Sequence, residues 1–373
     1  MKYYIGFNGV GHGHGARCRA IAQELRDKGH DVVFTTYNSV YSLQEQKESS
    51  FSSMLKKDGY TVLDGTPEMH GMIRNGMLDT YYTYINARNR FLYVLTKVKK
   101  EQIGFIKQEK PDVIVSDGHI SSVLAAKKLK IPYFAILNQN SLKELVPQYQ
   151  MPLPKTVIRN LQKDAIKILI PDFEPPDTIC IGNIQSYGDK VDSKIVYTGP
   201  ILRREVFESS TYSYQSRTIF VCMGGQNKIS LEHLLDRALR KLDLHFLVVN
   251  SAPRSLENGI KHVSYQQNPI HYIKGSLAII THGGHSTLME AIACGVPVIG
   301  ITQETQERYH NIMGIQQKGL GRLVMLQNLE DELLDTINIV TKDGYLQRAQ
   351  EFSSKARQHN GTKKAVELLT SSV

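Results

Sequence analysis

Three glycine-rich loops carry the residues of this chain that could do chemistry. The first is Gly9-Val10-Gly11-His12-Gly13-His14-Gly15-Ala16-Arg17, directly after an apolar run. Glycines there let the backbone turn sharply and let a ligand approach the start of the following helix. His14, at the mouth of the loop, suits a general base, because an imidazole exchanges protons near neutrality. The alternative for His14, and the first reading for His12, is a cap on that helix. A dinucleotide fingerprint fails two checks: His14 stands where the third glycine belongs, and the next run ends Phe34-Thr35-Thr36-Tyr37 without an acid for a ribose.

The second loop is Cys222-Met223-Gly224-Gly225-Gln226-Asn227-Lys228. A run, a glycine pair and polar residues before a helix make an anion nest, and the spacing is not that of a P-loop. The third loop is the most specific: Thr281-His282-Gly283-Gly284-His285-Ser286-Thr287-Leu288-Met289-Glu290-Ala291, then Cys294-Gly295-Val296-Pro297-Val298. Ser286 or Thr287 suits the cap of a helix. That helix start and the amides of Gly284 and its neighbours could bind a diphosphate, with one more bond from His282. Glu290, one turn in, could accept both hydroxyls of a ribose.

Such loops need strands and helices to hold them. Tyr3–Phe7 reads as a strand, Ala16–Lys28 as a helix and Asp31–Thr36 as the next strand; Asp112–Ser116, Ser121–Leu129 and Pro132–Leu137 repeat the pattern. The rhythm restarts at Thr218–Met223, with a helix from Ser230, runs at His245–Asn250 and Leu277–Thr281, a helix from Ser286 and a run at Val296–Ile301. This alternation predicts an α/β fold of two doubly wound, Rossmann-like domains. The divisions expected are 1–195, 196–344 and a closing helical stretch 345–373, with a hinge near Asp189–Glu205. Glu45–Lys57 is polar, helical or loop-like, and expected to be mobile.

The chain has 373 residues and a net charge of +9, with 41% apolar and 22% charged residues, which excludes wholesale disorder. No apolar run is long enough to span a bilayer, and the first residues are too soon broken by Gly6 for a signal peptide. Cys18, Cys180, Cys222 and Cys294 are scattered without metal-ligand spacing, so a reducing, cytoplasmic setting is expected. Tyr84–Lys110 holds Arg88, Arg90, Lys97, Lys99, Lys100, Lys107 and Lys110 against Glu101 and Glu109. With Phe91, Val94, Leu95, Val98, Ile103 and Ile106 at helical spacing, it reads as a basic amphipathic helix or helix pair. Its outer face is either simply solvated or rests on an anionic membrane surface, as could the basic stretch Lys155–Lys167. No recognition motif for nucleic acid accompanies the charge.

The third loop closely resembles the donor-binding signature of inverting, two-domain (GT-B) nucleotide-sugar glycosyltransferases, including the UDP-glucuronosyltransferase-like and cell-wall N-acetylglucosaminyltransferase-like enzymes. The likeness continues through Thr302-Gln303-Glu304-Thr305-Gln306-Glu307-Arg308-Tyr309-His310-Asn311 and covers the first loop. It implies a GT-B fold with the two domains facing across a cleft, and a final helix that crosses back to the first domain. By resemblance His14 is the base that deprotonates the acceptor hydroxyl and Asp117, in Val115-Ser116-Asp117-Gly118-His119, orients it, with Gly13 and His12 on the acceptor side. Gly224, Gly225 and Gln226, with His282, Gly284, Ser286 and Thr287, would hold the diphosphate; Glu290 would hold the ribose, and Glu307 with Arg308 would face the sugar. No cofactor is implied beyond the nucleotide-sugar co-substrate, with a UDP-sugar as first candidate, and a lipid-linked acceptor is one option.

Two departures from the family pattern stand out. The glutamine normally beside the acid is Arg308, which suits a carboxylated sugar or an ion pair with Glu307. The base-stacking Trp of plant and animal relatives matches Ser264, with Tyr265 as a substitute. The chain lacks an Asp-x-Asp for metal-dependent transfer, and Val298 stands where a retaining enzyme has a second glutamate, so inversion without a metal is expected. The alternatives are a non-catalytic nucleotide-sugar-binding or partner subunit, and a nucleotide-sugar 2-epimerase, whose family shows Asp-Ser-Gly-Gly where this chain has His282-Gly283-Gly284.

Overall fold

A computed structural model describes residues 1–9, 12–37, 51–68, 72–74, 77–79, 82, 85–86, 90–137, 160–181, 189–208, 217–223, 231–249, 254–257, 259–263, 268–302, 306–342 and 344–372. Among them, two seven-stranded sheets form, with a short hairpin of Met72–Arg74 and Met77–Asp79 apart from both. The first sheet runs in the order Thr61–Asp64, Asp31–Thr36, Lys2–Phe7, Val113–Asp117, Tyr133–Ile136, Ile168–Ile170 and Ile195–Tyr197, all parallel. Its central strands are apolar on both sides because helices cover both faces. Tyr3, Ile5 and Phe7 pack on Ile21 and Leu25 of the helix Gly13–Asp27. Tyr4 and Ile114 face Ile106 of the helix Lys99–Glu109 and Val123 of the helix Ile120–Leu129.

The second sheet runs Arg254–Glu257, Ile260–Val263, His245–Val249, Thr218–Cys222, Ala278–Thr281, Val298–Thr302 and Gly321–Met325. Only its edge strand Arg254–Glu257 is antiparallel among the described pairings. Phe220, Ile279 and Val298 pack on Leu288 and Ile292 of the helix His285–Ala293, while Ile219, Ile280 and Ile299 face Leu234, Leu333 and Ile337 on the other side. In each sheet the first strand of the domain lies between two later ones, and the carboxyl ends of such neighbours form the crevice where open α/β sheets bind ligands. The first and third glycine loops leave from those ends.

Two adjacent passages of chain join the sheets. The Leu202 amide donates to Thr362 Oγ1 at 2.9 Å, and the Thr362 hydroxyl donates to Leu202 O at 2.7 Å. Gly361 sits so close that a Cβ there would lie 2.2 Å from Gly199 O, so no side chain fits. The helix Tyr345–Gln358 places Ala356 in the second core, and the helix Gly361–Ser371 places Ala365, Val366 and Leu369 in the first.

Several elements differ from expectation. The closing stretch 345–369 is two helices, broken before Asn360, whose side chain accepts from the Lys363 amide at 3.1 Å and caps the second. The first helix starts at Gly13 and not at Ala16. Residues 45–50 lie outside the described ones, but Phe51–Lys57 is a helix with Phe51, Met54 and Leu55 buried, so that part is anchored in the core. In the basic segment, Val94, Val98 and Ile106 are buried as their spacing predicts, in a helix that widens to a π-turn over Val94–Val98. Arg88, Lys155 and Arg159 lie outside the described residues.

Candidate active site

His14 enters from the first turn of the helix Gly13–Asp27, and Asp117 ends the strand Val113–Asp117. Parallel pairing sets Phe7 opposite Asp117, and the Asn8 amide donates to Asp117 O at 3.0 Å, which brings the two loops level. His14 Nδ1 lies 2.8 Å from Asp117 Oδ1. Arg17 Nη2, which only donates, also lies 3.1 Å from Nδ1; the shorter contact to the carboxylate, which only accepts, sets the proton on Nδ1 and leaves the lone pair of Nε2 for a substrate. The His14 side chain is 26% exposed and Asp117 only 1%, so the imidazole is the member that can meet an acceptor.

Arg17, one turn along the helix from His14, donates from Nε to Asp117 Oδ2 at 3.0 Å and from Nη2 to Oδ1 at 2.8 Å. Burial alone would push the Asp117 carboxyl up. The charges of Arg17 and His14 and their hydrogen bonds outweigh it and hold the group well below the usual carboxylate range. The Cys18 thiol, 3.7 Å from Asp117 Oδ2, is raised far above its ordinary value by burial and stays protonated.

Across the cleft, Gly283 turns the third glycine loop with φ of +86°; a Cβ there would meet Ile312 Cδ1 at 2.6 Å. Asn311 Nδ2 donates to Gly283 O at 3.0 Å and pins the turn. Gly284 therefore takes the N-cap position and no side chain caps the helix His285–Ala293. This corrects the expectation for Ser286 and Thr287, which lie inside the first turn. The Ser286 hydroxyl instead donates to Gly13 O of the other domain at 3.0 Å. A helix leaves its first amides without intrahelical acceptors, and with no capping side chain these amides and the helix dipole suit an anion.

Two more groups face that need. Burial and then the charge of Arg308 push the His282 imidazole well below its ordinary value, so it is neutral at pH 7, and its Nδ1 is buried without a partner. Arg308 is 7% exposed, its Nη1 has no acceptor, and burial pushes the guanidinium down to about 10, with Glu307 opposing. An under-compensated buried cation of this kind is stabilised by an anionic ligand. The half-buried Glu307 also acts electrostatically on Arg17 and Cys180, which sets it at the junction of the domains.

Glu290 is buried, and its Oε1 accepts from Arg203 Nε at 2.7 Å. Burial raises its carboxyl and Arg203 opposes the rise. The acid expected to meet a ribose is thus already braced by the segment that links the domains. His12 occupies the N-cap position of the first helix, but its side chain makes no cap hydrogen bond there and its ring lies 6.0 Å from Phe51. Its backbone is already helical, which turns the ring away from the free amides and overturns the capping reading. Gly224, Gly225 and Gln226 lie outside the described residues.

Sequence reading missed Arg17, Arg203 and His285. Arg17 has a local signal, its one-turn spacing from His14. Arg203 and His285 meet partners 87 and 268 positions away in the chain and have none.

The profile of glycosyl transferase family 1 matches residues 1–339. An uncharacterized glycosyltransferase of Methanosarcina acetivorans is 26% identical over 385 residues, covering 99% of this chain and 98% of that protein. Among solved structures, the glycotransferase of kitacinnamycin aligns with a TM-score of 0.70 at 14% identity, over 100% of this chain and 98% of that one. A Streptomyces sp. SF2575 glycosyltransferase complexed with thymidine diphosphate aligns with a TM-score of 0.67 at 14% identity, over 99% of both chains.

Proposed function

The chain belongs to glycosyl transferase family 1 and has the two-domain GT-B fold, and from that premise we propose that it transfers a sugar from a nucleoside diphosphate sugar to an acceptor hydroxyl, with inversion and without a metal. His14 Nε2 takes the proton of the acceptor hydroxyl. The freed oxygen attacks the anomeric carbon from the side opposite the diphosphate, whose bond to that carbon breaks with the electron pair leaving on the phosphate oxygen. Asp117 holds the imidazole in the accepting tautomer and stabilises the imidazolium that forms. The uncapped start of the helix His285–Ala293, with His282 and Arg308, takes up the charge on the leaving diphosphate, the work a metal does elsewhere.

The observation that carries this reading is the His14–Asp117 hydrogen bond of 2.8 Å, set against an uncapped helix start that Ser286 ties to Gly13 at 3.0 Å. A protein that only binds a nucleotide sugar has no use for an oriented base, which favours transfer over a sensing or partner role. A uridine diphosphate sugar is the first candidate donor, and the fold neighbour solved with thymidine diphosphate supports a pyrimidine nucleotide. Arg308 beside Glu307 suits a donor whose sugar carries a carboxylate.

An anionic membrane surface is the proposed partner of the basic segment. Leu92 and Tyr93 are 77% and 42% exposed on the same helical stretch as the exposed Lys97 and Lys100. Apolar side chains with flanking cations fit a lipid interface, and with it a lipid-linked acceptor. No helix among the described residues is long and apolar enough to cross a membrane.

The test is the melting temperature with UDP, dTDP, GDP, CDP and ADP, each at millimolar concentration. A ligand at a hundred times its dissociation constant stabilises by about 2.7 kcal/mol, so one nucleotide is expected to stand out. If none shifts the melt, the third loop is not a donor site.

A further inference from the structure

Two contacts cross between the helix starts of the two domains. Besides the Ser286 hydroxyl on Gly13 O, Arg17 Nη1 lies 3.3 Å from His285 Nδ1. A guanidinium only donates, so Nδ1 is the acceptor and the His285 proton sits on Nε2. Burial, and after it the charge of Arg17, push this imidazole well below its ordinary value, which keeps it neutral and able to accept. The same guanidinium grips both oxygens of Asp117. Arg17 is 2% exposed, Asp117 1% and His285 4%, so water cannot replace any of these partners. Each nitrogen of the Arg17 fork is thereby engaged: Nε and Nη2 on the carboxylate of one domain, with Nη2 also 3.1 Å from His14 Nδ1, and Nη1 on the imidazole of the other domain.

We propose that Arg17 and His285 are positioning residues that lock the His14–Asp117 pair into its working orientation only when the two domains are closed. Opening the cleft withdraws His285 with the donor helix, and Nη1 loses its acceptor. The fork then keeps only its bonds within the first domain, and the carboxylate that fixes the His14 tautomer loses its brace to the other domain. One hinge motion thus assembles the donor site and aligns the base, so an unoccupied open enzyme carries a misaligned imidazole.

The far side of His285 fits this role. One of its ring nitrogens lies within 4.8 Å of Asp172 and Cys180, and Nε2 is buried without a hydrogen-bond partner among the described residues. Asp172 Oδ1 accepts from the Phe173 and Ile179 amides at 2.8 and 3.0 Å, and Oδ2 accepts from the Cys180 amide at 2.8 Å. With a proton on Nε2 and a guanidinium at Nδ1, this trio is a socket for a neutral ring and does not suit a cation.

The inference rests on His14 as the base, and its test needs no turnover. Proton–nitrogen correlation spectra of the full chain labelled with 15N-histidine, at pH 7 with the nucleoside diphosphate that shifts the melt present at saturation to hold the cleft closed, report each ring's tautomer. The closed state gives His14 as Nδ1–H and His285 as Nε2–H. In His285→Leu the single His14 tautomer is lost; in His285→Asn, whose amide oxygen replaces Nδ1, it returns. A His285 that merely packs would leave the His14 signals of the leucine variant unchanged, and that result overturns the proposal. So does a wild-type His285 with its proton on Nδ1. If His285→Leu does not fold, Arg17→Lys gives the same reading, because one ammonium cannot hold Asp117 and His285 together and the His14 tautomer is lost there too. The nucleotide melts test the donor-site reading separately, so the two failures are distinguishable.

Discussion

His14 Nδ1 and Asp117 Oδ1, 103 positions apart in the chain, lie 2.8 Å from each other. The bond exists because adjacent parallel strands end level, with Phe7 beside Asp117. Arg17 holds the same carboxylate, its Nη2 on the oxygen that His14 meets and its Nε on the other, so the pair is oriented by the sheet and by the helix together.

Asp117→Asn tests that arrangement. An amide can turn its NH2 toward His14 and favour the wrong tautomer, and it leaves the Arg17 charge buried without a counter-ion. Turnover should fall by at least about a hundredfold. Removing one partner of a buried pair costs about 3–5 kcal/mol, so the melting temperature should fall as well. Nucleoside diphosphate release and a thermal melt measure both, and an Asn variant of undiminished turnover contradicts the role given to Asp117.

Buried histidines set the response to acid. Burial pushes His310, 1% exposed, down to about 4, and it pushes His282 and His285 well below their ordinary value. An unfolded imidazole titrates near ~6.5, so between there and each lower folded value the unfolded chain binds more protons. Stability is therefore lost as pH falls through that window. Asp117 acts lower: its folded carboxyl lies beneath the unfolded value of about 3.9, so its contribution is present above that pH and lost below it. Denaturant melts should show lower stability at pH 5 than at pH 7, with on the order of 2 kcal/mol of the difference removed in His310→Gln.

Arg308→Gln restores the residue usual in similar enzymes. If Arg308 meets a sugar carboxylate, the wild type prefers a uronate donor to the matching neutral hexose donor by about tenfold or more, and the variant loses that preference. Competition between UDP-glucuronate and UDP-glucose reads it. A wild type indifferent to the carboxylate would leave Arg308 to the diphosphate alone.

Leu92 and Tyr93 offer a test of the membrane face. Sedimentation with anionic vesicles should be strong at low salt, weaker at high salt, and weaker still for Leu92→Asp, whose change at a 77% exposed position should leave the fold intact. No binding at low salt ends the membrane proposal.

The central strands that end in the site were legible because their signals are local, whereas the pairing of His14 with Asp117 was implied only by the family resemblance. Tyr3–Phe7 and the run ending at Asp117 are continuous apolar stretches, as strands buried on both faces must be. The edge strands Thr61–Asp64 and Ile195–Tyr197 are too short to show a period, and they form by pairing with neighbours. The capping expectation for Ser286 failed because a glycine turn pinned by Asn311 made a cap unnecessary and freed the hydroxyl for Gly13. His285 carries no signal of its own within its loop; its partner Arg17 is 268 positions away, a contact that exists only once two domains meet.

The most direct measurement compares the wild type with His14→Ala, using the nucleotide that shifts the melt and its sugar donors. The account predicts an unchanged nucleotide-induced melting shift with diphosphate release lowered at least about a hundredfold. A variant that binds the nucleotide and turns over at the wild-type rate would contradict it, because His14 would then not be the base.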